Sequence, residues 1–373
     1  MLTAEKPALK RLRVLLLVPH LGGGGAEQVI ALLARGLSRE KYEIHVGLAT
    51  ESHPGAAALP PWVTAHALHA PRVRAAALRM LRLVRRIEPD VVLSGMAHLN
   101  FLVLLLRPFF PSRTRVLVRQ NGTVSSALSF GDLPFYTRLL YRLLYRHADR
   151  VICQSRAMAL DLAGEIGLDH ERIAVLPNPL DMEGLRAVAH EPCQWSGPGP
   201  HLLAVGRLSR EKGFDLLLRA LAAVRESFPA ADLVIAGAGP EETALKAECR
   251  ALGLGPSVRF PGHVARPCAF FPGATLFVLS SRHEGMPNAL LEAAAAGLPL
   301  VALPACGGVV DLLSKLPGAW LAGQTTAEAL AASIMAALTA LRPGERFERG
   351  VFGDDRAASP TPIPSTASSP NNA

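Results

Sequence analysis

At 373 residues, half of them hydrophobic, the chain is long enough for about two domains that bury their own cores without staples. Its net charge of +8 is uneven: residues 1–190 carry 24 Lys+Arg against 15 Asp+Glu, residues 191–373 carry 15 against 16, so an anionic partner is expected for the first half. Five scattered Cys with no CxxC and no His pairing at metal spacing exclude a disulfide framework and fit reduced thiols in a cytosol.

Taken in order, basic residues precede the apolar run Val14–Val18, which is too short for a signal-peptide core or a span. Arg13–Pro19 reads as a buried parallel strand, His20–Gly25 as a glycine-rich turn and Ala26–Leu37 as a helix, the opening of a doubly wound domain. The loop GGGGAE is neither a Walker A loop nor a dinucleotide fingerprint. Its glycines either let a backbone approach a phosphate or sugar, or serve a tight turn that needs positive φ. Further strands are expected at Glu43–Ala49, Asp90–Ser94, Arg115–Arg119, Arg150–Gln154 and Glu171–Val175. Pro71–Ile87 forms an Arg-rich helix with Leu78, Met80, Leu81, Leu83, Val84 and Ile87 on its apolar side, and Phe135–His147 repeats Arg and Tyr around Leu pairs. Two such basic helices, the second with interfacial aromatics, fit an anionic membrane surface; the alternative is solvated faces packed on the sheet. No base-reading motif accompanies the charge, so no nucleic-acid partner is expected.

The Pro/Gly-rich segment His190–Pro200 is the expected linker, giving domains at 1–190 and 191–341 and a disordered tail at 342–373. The second domain restarts with strands His201–Val205, Asp232–Ile235, Val258–Phe260, Thr275–Leu279 and Leu298–Ala302, and a capping box of Thr325 and Glu328 opens a helix reaching Leu341. The uncharged window Ala293–Val310 has spanning length, but Gly297, Pro299, Pro304, Gly307 and Gly308 break it.

Charge, turn chemistry and helix signal converge at Ser281–Leu300. Pro287 fits the first turn of a helix and Gly297 its left-handed end, so Glu284 lies in the preceding loop and Glu292 on the helix. Backbone N–H groups from about Met286 to Leu290 lack intrahelical acceptors, which makes this end an anion cradle flanked by two carboxylates. A plainer reading has Glu284 complementing the helix dipole and Glu292 on a solvated face.

The second domain strongly resembles the family 4 retaining glycosyltransferases, through GRLSREKG at Gly206–Gly213, GAGP at Gly237–Pro240 and HEGMPNALLEAAAAGLPLV at His283–Val301, whose two glutamates have seven residues between them. GGAE at Gly24–Glu27 and NPLD at Asn178–Asp181 extend the resemblance over about residues 12–340. It implies the GT-B fold, an α/β architecture of two Rossmann-like, doubly wound parallel-sheet domains facing across a cleft.

The resemblance implies roles residue by residue. Arg207 and Lys212 would hold the donor diphosphate and favour the leaving phosphate, Glu284 would bind donor-sugar hydroxyls, and Glu292 would accept from the ribose. Gly285, Met286, Pro287 and Asn288 would complete the cradle, with Gly239 and His263 also on the donor side, and Gly24 and Gly25 contacting the diphosphate or sugar from the first domain. Relatives often carry a His after a first-domain strand where this chain reads VRQNGTVSS, placing Asn121 or Gln120 near the sugar. The family's C-terminal crossover helix has no counterpart after Leu341. No Asp-x-Asp pair follows a strand, so no metal and no cofactor are implied. The implied function is transfer of a sugar, with retention, from a nucleotide-sugar to a glycan or polyprenol-linked acceptor at the cytosolic membrane face. The protein would be cytoplasmic, peripheral on the inner face of the plasma membrane. A nucleotide-sugar-binding scaffold without turnover and a GT-B nucleotide-sugar epimerase are the alternatives.

Overall fold

The computed structural model describes residues 10–21, 24–50, 59–129, 136–188, 191–305 and 308–348. They form two α/β units, divided at Pro179–Leu180. In the first, the strands are β1 Leu12–Val18, β2 Tyr42–Leu48, β3 Val63–Ala67, β4 Val91–Ser94, β5 Arg115–Arg119, β6 Arg150–Cys153 and β7 Ile173–Val175. They pair in parallel in the order β3-β2-β1-β4-β5-β6-β7. Alternation along β1 sends Val14, Leu16 and Val18 to one core, under the helix Gly25–Gly36, and Leu15 and Leu17 to the other, under helices that include Ala77–Ile87 and Ala97–Leu106. A strand buried on both faces needs the unbroken apolar run the sequence supplies.

The second unit repeats this plan with β8 His201–Val205, β9 Asp232–Ala236, β10 Val258–Arg259, β11 Leu276–Leu279, β12 Leu300–Ala302 and β13 Ala319–Leu321, ordered β10-β9-β8-β11-β12-β13. Each order reverses once, between β1 and β4 and between β8 and β11. In such sheets the crevice outside the carboxyl ends of the strands at the reversal is where ligands bind. The loops carrying the glycines, Arg207 and Lys212, and Glu284 follow β1, β8 and β11 respectively.

Several expectations are corrected. The edge strands Val63–Ala67 and Ala319–Leu321 were not anticipated, being short and without a continuous apolar run. The expected linker His190–Pro200 is not the boundary: Leu185 in the helix Met182–Val188 joins a second-unit core, and Trp195 donates to Phe270 O (2.8 Å) and stacks on His201. Within the expected tail, residues 342–348 dock on the second unit, with Phe347 N donating to Gly297 O (2.9 Å) and Arg346 to Ala274 O (2.9 Å); residues 349–373 lie outside the described residues. The last helix is capped by Thr326, not Thr325, its hydroxyl accepting from Ala329 N. Tyr141 and Tyr145 are not interfacial; they are buried against Phe101, and the Tyr145 hydroxyl donates to Gln120 Oε1 (2.8 Å) and accepts from Asn100 Nδ2 (3.1 Å). A buried phenol needs such partners, so Leu139 and Leu143 take the outer face of that helix. Leu78, expected on an apolar side, is exposed among the arginines.

Candidate functional site

In the second unit, the loops after β8 and β11 are laced together. Arg282 N donates to Glu211 O (2.8 Å), Ser280 Oγ to Lys212 O (2.8 Å), and the Arg282 guanidinium to Arg210 O (2.9 Å) and to both carboxylate oxygens of Asp215 (2.8 and 2.6 Å). Gly213 makes this approach possible. Its φ is +62°, and a side chain there would overlap the carbonyl of Ser280. Gly237 and Gly239 likewise let their loop lie backbone-on-backbone against Gly206 and Leu208, with Leu208 N donating to Ala238 O (3.0 Å).

The lacing sets Lys212 Nζ 2.5 Å from Glu284 Oε1, with only 24% and 10% of the two side chains exposed; Ser281 Oγ donates to the same oxygen (2.7 Å). Gly285 O accepts from Gly308 N (3.0 Å). The helix runs Asn288–Ala295 with Pro287 as its N-cap, not in its first turn as expected, because Pro287 O accepts the first helical bond, from Leu291 N. Met286 and Asn288 are half-buried and Gly285 and Pro287 buried, and the Lys212–Glu284 contact joins the loop after β8 to the loop that leads into this helix. Glu292 follows on the helix, half-buried, close enough to Cys268 to help burial raise that thiol's pKa. Arg207 differs: its side chain is 72% exposed and pairs with Glu211 (3.2 Å). Burial opposes the ionisation of Glu211, but the Ser209 hydroxyl and Arg207 hold its pKa below the usual value. Exposed His263 follows Gly262, whose carbonyl accepts from Gly237 N, so it borders the glycine loop. The neighbours Asp215, Ser209, Ser281 and Arg282 were missed by sequence reasoning, although all lie inside or next to the quoted motifs.

In the first unit, Gly24 caps the helix Gly25–Gly36 at φ −85°, so it does not serve a positive-φ turn; a side chain on it would instead overlap the Glu27 carboxylate, which is folded back and buried. Exposed Gly25 is the first residue of that helix. Gln120 faces the core, donating to Gly122 O (2.9 Å), while Asn121 is half-buried and donates to Gly95 O. Asn121 Oδ1 accepts from Arg119, a buried arginine that sequence reading passed over as a strand residue. A separate groove of about 910 Å³ opens beside Pro19 and His20, with leucines 102, 105, 140, 143 and 144 as its walls and Arg72, Arg74 and His98 at its polar side. Burial lowers the His98 pKa, against the pull of Glu27. No helix among the described residues is long and apolar enough to cross a membrane.

Residues 23–183 match the profile of "Glycosyltransferase Family 4" and residues 190–348 that of "Glycosyl transferases group 1". The chain is 27% identical over 306 residues to the Campylobacter jejuni N-acetylgalactosamine-N,N'-diacetylbacillosaminyl-diphospho-undecaprenol 4-alpha-N-acetylgalactosaminyltransferase, covering 78% of this chain and 80% of that one. It is 24% identical over 245 residues to an uncharacterized glycosyltransferase of Methanocaldococcus jannaschii, covering 63% of this chain but only 60% of that protein. Its fold matches that of Anabaena HepE, solved in complex with UDP and glucose, at a TM-score of 0.72 and 19% identity over 88% of this chain and 90% of that one. The two doubly wound sheets, the matched profiles over both units and the paired glutamates in their expected loop and helix together show that the chain belongs to the family 4, group 1 glycosyltransferases, transferases of the GT-B fold.

Proposed function

We propose that this chain moves a hexose from a nucleotide diphosphate-sugar, held by the second unit, to a polyprenol-linked or other glycan acceptor taken up by the first, with retention and without a metal. The observation that carries this reading is the Lys212–Glu284 pair beside the start of the Asn288–Ala295 helix, outside the carboxyl ends of β8 and β11. A diphosphate at that end meets a cation and backbone N–H groups, both of which stabilise negative charge better as it builds on the leaving phosphate. Lys212 is pre-positioned by Glu284, whose second oxygen is left to accept from a sugar hydroxyl. Glu292, further along the same helix, suits the ribose, and Arg207, on its exposed stem, reaches the diphosphate by exchanging Glu211 for phosphate. Two relatives support the ligand classes: HepE was solved with UDP and glucose, and the Campylobacter enzyme's name includes a diphospho-undecaprenol substrate.

The groove of the first unit supports a lipid-linked acceptor, since leucine walls suit an isoprenoid chain while Arg72 and Arg74 suit its phosphate. Exposed Leu78, Leu105, Phe109, Leu139 and Leu143 beside basic helices support peripheral attachment to an anionic cytosolic membrane surface. A screen of nucleotide-sugars by thermal shift, followed by product analysis with undecaprenyl-diphosphate-linked glycans, tests the reading. Transfer that persists in excess EDTA, with the anomeric configuration kept, is the expected result. Nucleotide binding without turnover would identify a scaffold, sugar interconversion without nucleotide release an epimerase, and loss of transfer in EDTA with recovery on Mg²⁺ would overturn the metal-free diphosphate site.

A further inference from the structure

We propose that Arg119, oriented by Asn121 and Asn178, is a phosphate-binding residue of the first unit, taking a phosphoryl group of one of the two substrates in the transfer proposed above. Arg119 ends β5 at the carboxyl edge of the sheet, beside β4, and is 5% exposed. Its guanidinium donates to Asn121 Oδ1 and to Asn178 Oδ1 (2.5 Å); the Asn121 amide is itself anchored on Gly95 O, and Asn100 Nδ2 holds Arg119 O (3.0 Å). These bonds occupy two of the five N–H donors that a guanidinium carries. No Asp or Glu side chain among the described residues pairs with it. The titratable group that bears on it is Cys153, a buried thiol whose pKa is pushed up to about 12 and which is therefore neutral at physiological pH.

Two of the partly buried arginines meet acids, Arg107 with Asp149 and Arg282 with Asp215, while Arg13 and Arg225 donate to the backbone carbonyls of Ile87 and Ala231; Arg119, buried more deeply than these, rests on two side-chain amides. A buried ion without a counter-ion is costly, and although burial lowers the Arg119 pKa to about 10, the guanidinium keeps its charge at neutral pH. Two neutral amide oxygens fix the fork's orientation without cancelling its charge, which is the arrangement a bidentate phosphate contact requires. Ser94 Oγ, at the end of neighbouring β4, and Gln154 Nε2, just after β6, are buried without partners at the same sheet edge. The phosphate comes from a nucleoside diphosphate or from a polyprenyl-type diphosphate, and the experiment separates these sources.

Calorimetric titration of the full chain with the tightest-binding of UDP, GDP and ADP, and separately with geranyl diphosphate, is compared for wild type, Arg119→Gln, Arg119→Lys and Asn178→Asp. Removing the charge should weaken one probe about ten- to hundredfold, with Lys intermediate. Asn178→Asp supplies the missing counter-charge, so it should weaken the same probe while raising the Tm of the free protein, a sign that loss of a merely structural contact does not produce. An effect confined to the nucleotide identifies the donor phosphate, and one confined to geranyl diphosphate the acceptor phosphate. If Arg119→Gln fails to fold, Asn178→Asp decides alone. Binding of both probes within twofold of wild type in Asn178→Asp overturns the proposal. Because the readout is binding, the site can stand when sugar transfer fails, and fall when it succeeds.

Discussion

Replacing Gly213 by Ala should be far more damaging than a left-handed glycine ordinarily accounts for. At φ +62° an added Cβ costs about 1–2 kcal/mol by itself. Here it would also overlap Ser280 O and stand 3.1 Å from Ser280 C, both backbone atoms that no rotamer change can move. Relief requires the two loops to part. That breaks the Ser280 Oγ–Lys212 O bond, worth about 1 kcal/mol, and strains the charge-assisted Lys212–Glu284 contact, worth about 1.5–3 kcal/mol. The total is about 4–6 kcal/mol, or about 8–24 °C of Tm for a domain of this size. Gly253 is the control: its φ is +69° but nothing lies within 4 Å of an added Cβ, so Gly253→Ala should cost only about 1–2 kcal/mol. Trp195 and Trp320 report on the second unit, so fluorescence-monitored melting in a Trp62→Phe background isolates the relevant transition. Equal melting temperatures for the two variants, with nucleotide affinity unchanged in Gly213→Ala, would show that the close approach of these loops does not build the donor site.

Lys212→Ala and Glu284→Gln should each lower kcat about 10²–10³-fold in the transfer assay while leaving the far-ultraviolet dichroism unchanged; wild-type turnover in either removes the pair from the chemistry. Burial would raise the Asp215 carboxyl, but the Arg282 fork overrides it and holds the pKa below the usual value. A depressed carboxylate contributes stability that is present above its unfolded pKa near 4 and is lost as pH falls through the folded value. Urea denaturation from pH 7 down to pH 2 should therefore show a shallower acid limb for Asp215→Asn than for wild type, and superimposable limbs would refute the linkage. Leu105→Glu with Leu143→Glu should reduce co-flotation with anionic vesicles and raise KM for a polyprenol-linked acceptor without changing nucleotide affinity; flotation equal to wild type would detach the groove from the membrane.

The motifs of the proposed donor site were legible because they are local. They are contiguous stretches in the loops after β8 and β11, and glycine, proline and capping chemistry mark such loops in any sequence. Central strands were legible for the same reason, as runs such as RVLLLVP must be apolar on both faces. The edge strand Val63–Ala67 is mostly exposed along its length, so its residues carry no such signature. FYTRLLYRLLYRH shows the limit of periodicity: spacing says that Tyr and Leu share a helix, but the partners Gln120 and Asn100, far away in the chain, send two tyrosines inward and leave leucines in the open.

By itself, the sequence determined the alternation of parallel strands and helices, the break into two halves, and the motifs that carry Lys212, Glu284 and Glu292, because each is written in neighbouring residues. Only tertiary structure decided that Glu284 meets Lys212 across two loops, that Met182–Val188 belongs to the second unit, and that Arg119 is buried between two asparagines with no acid among the described residues pairing with it. Charge compensation depends on what the fold brings within a few ångströms, and residues 119 and 178 become neighbours only when β5 and the segment after β7 are brought to the same edge of one sheet.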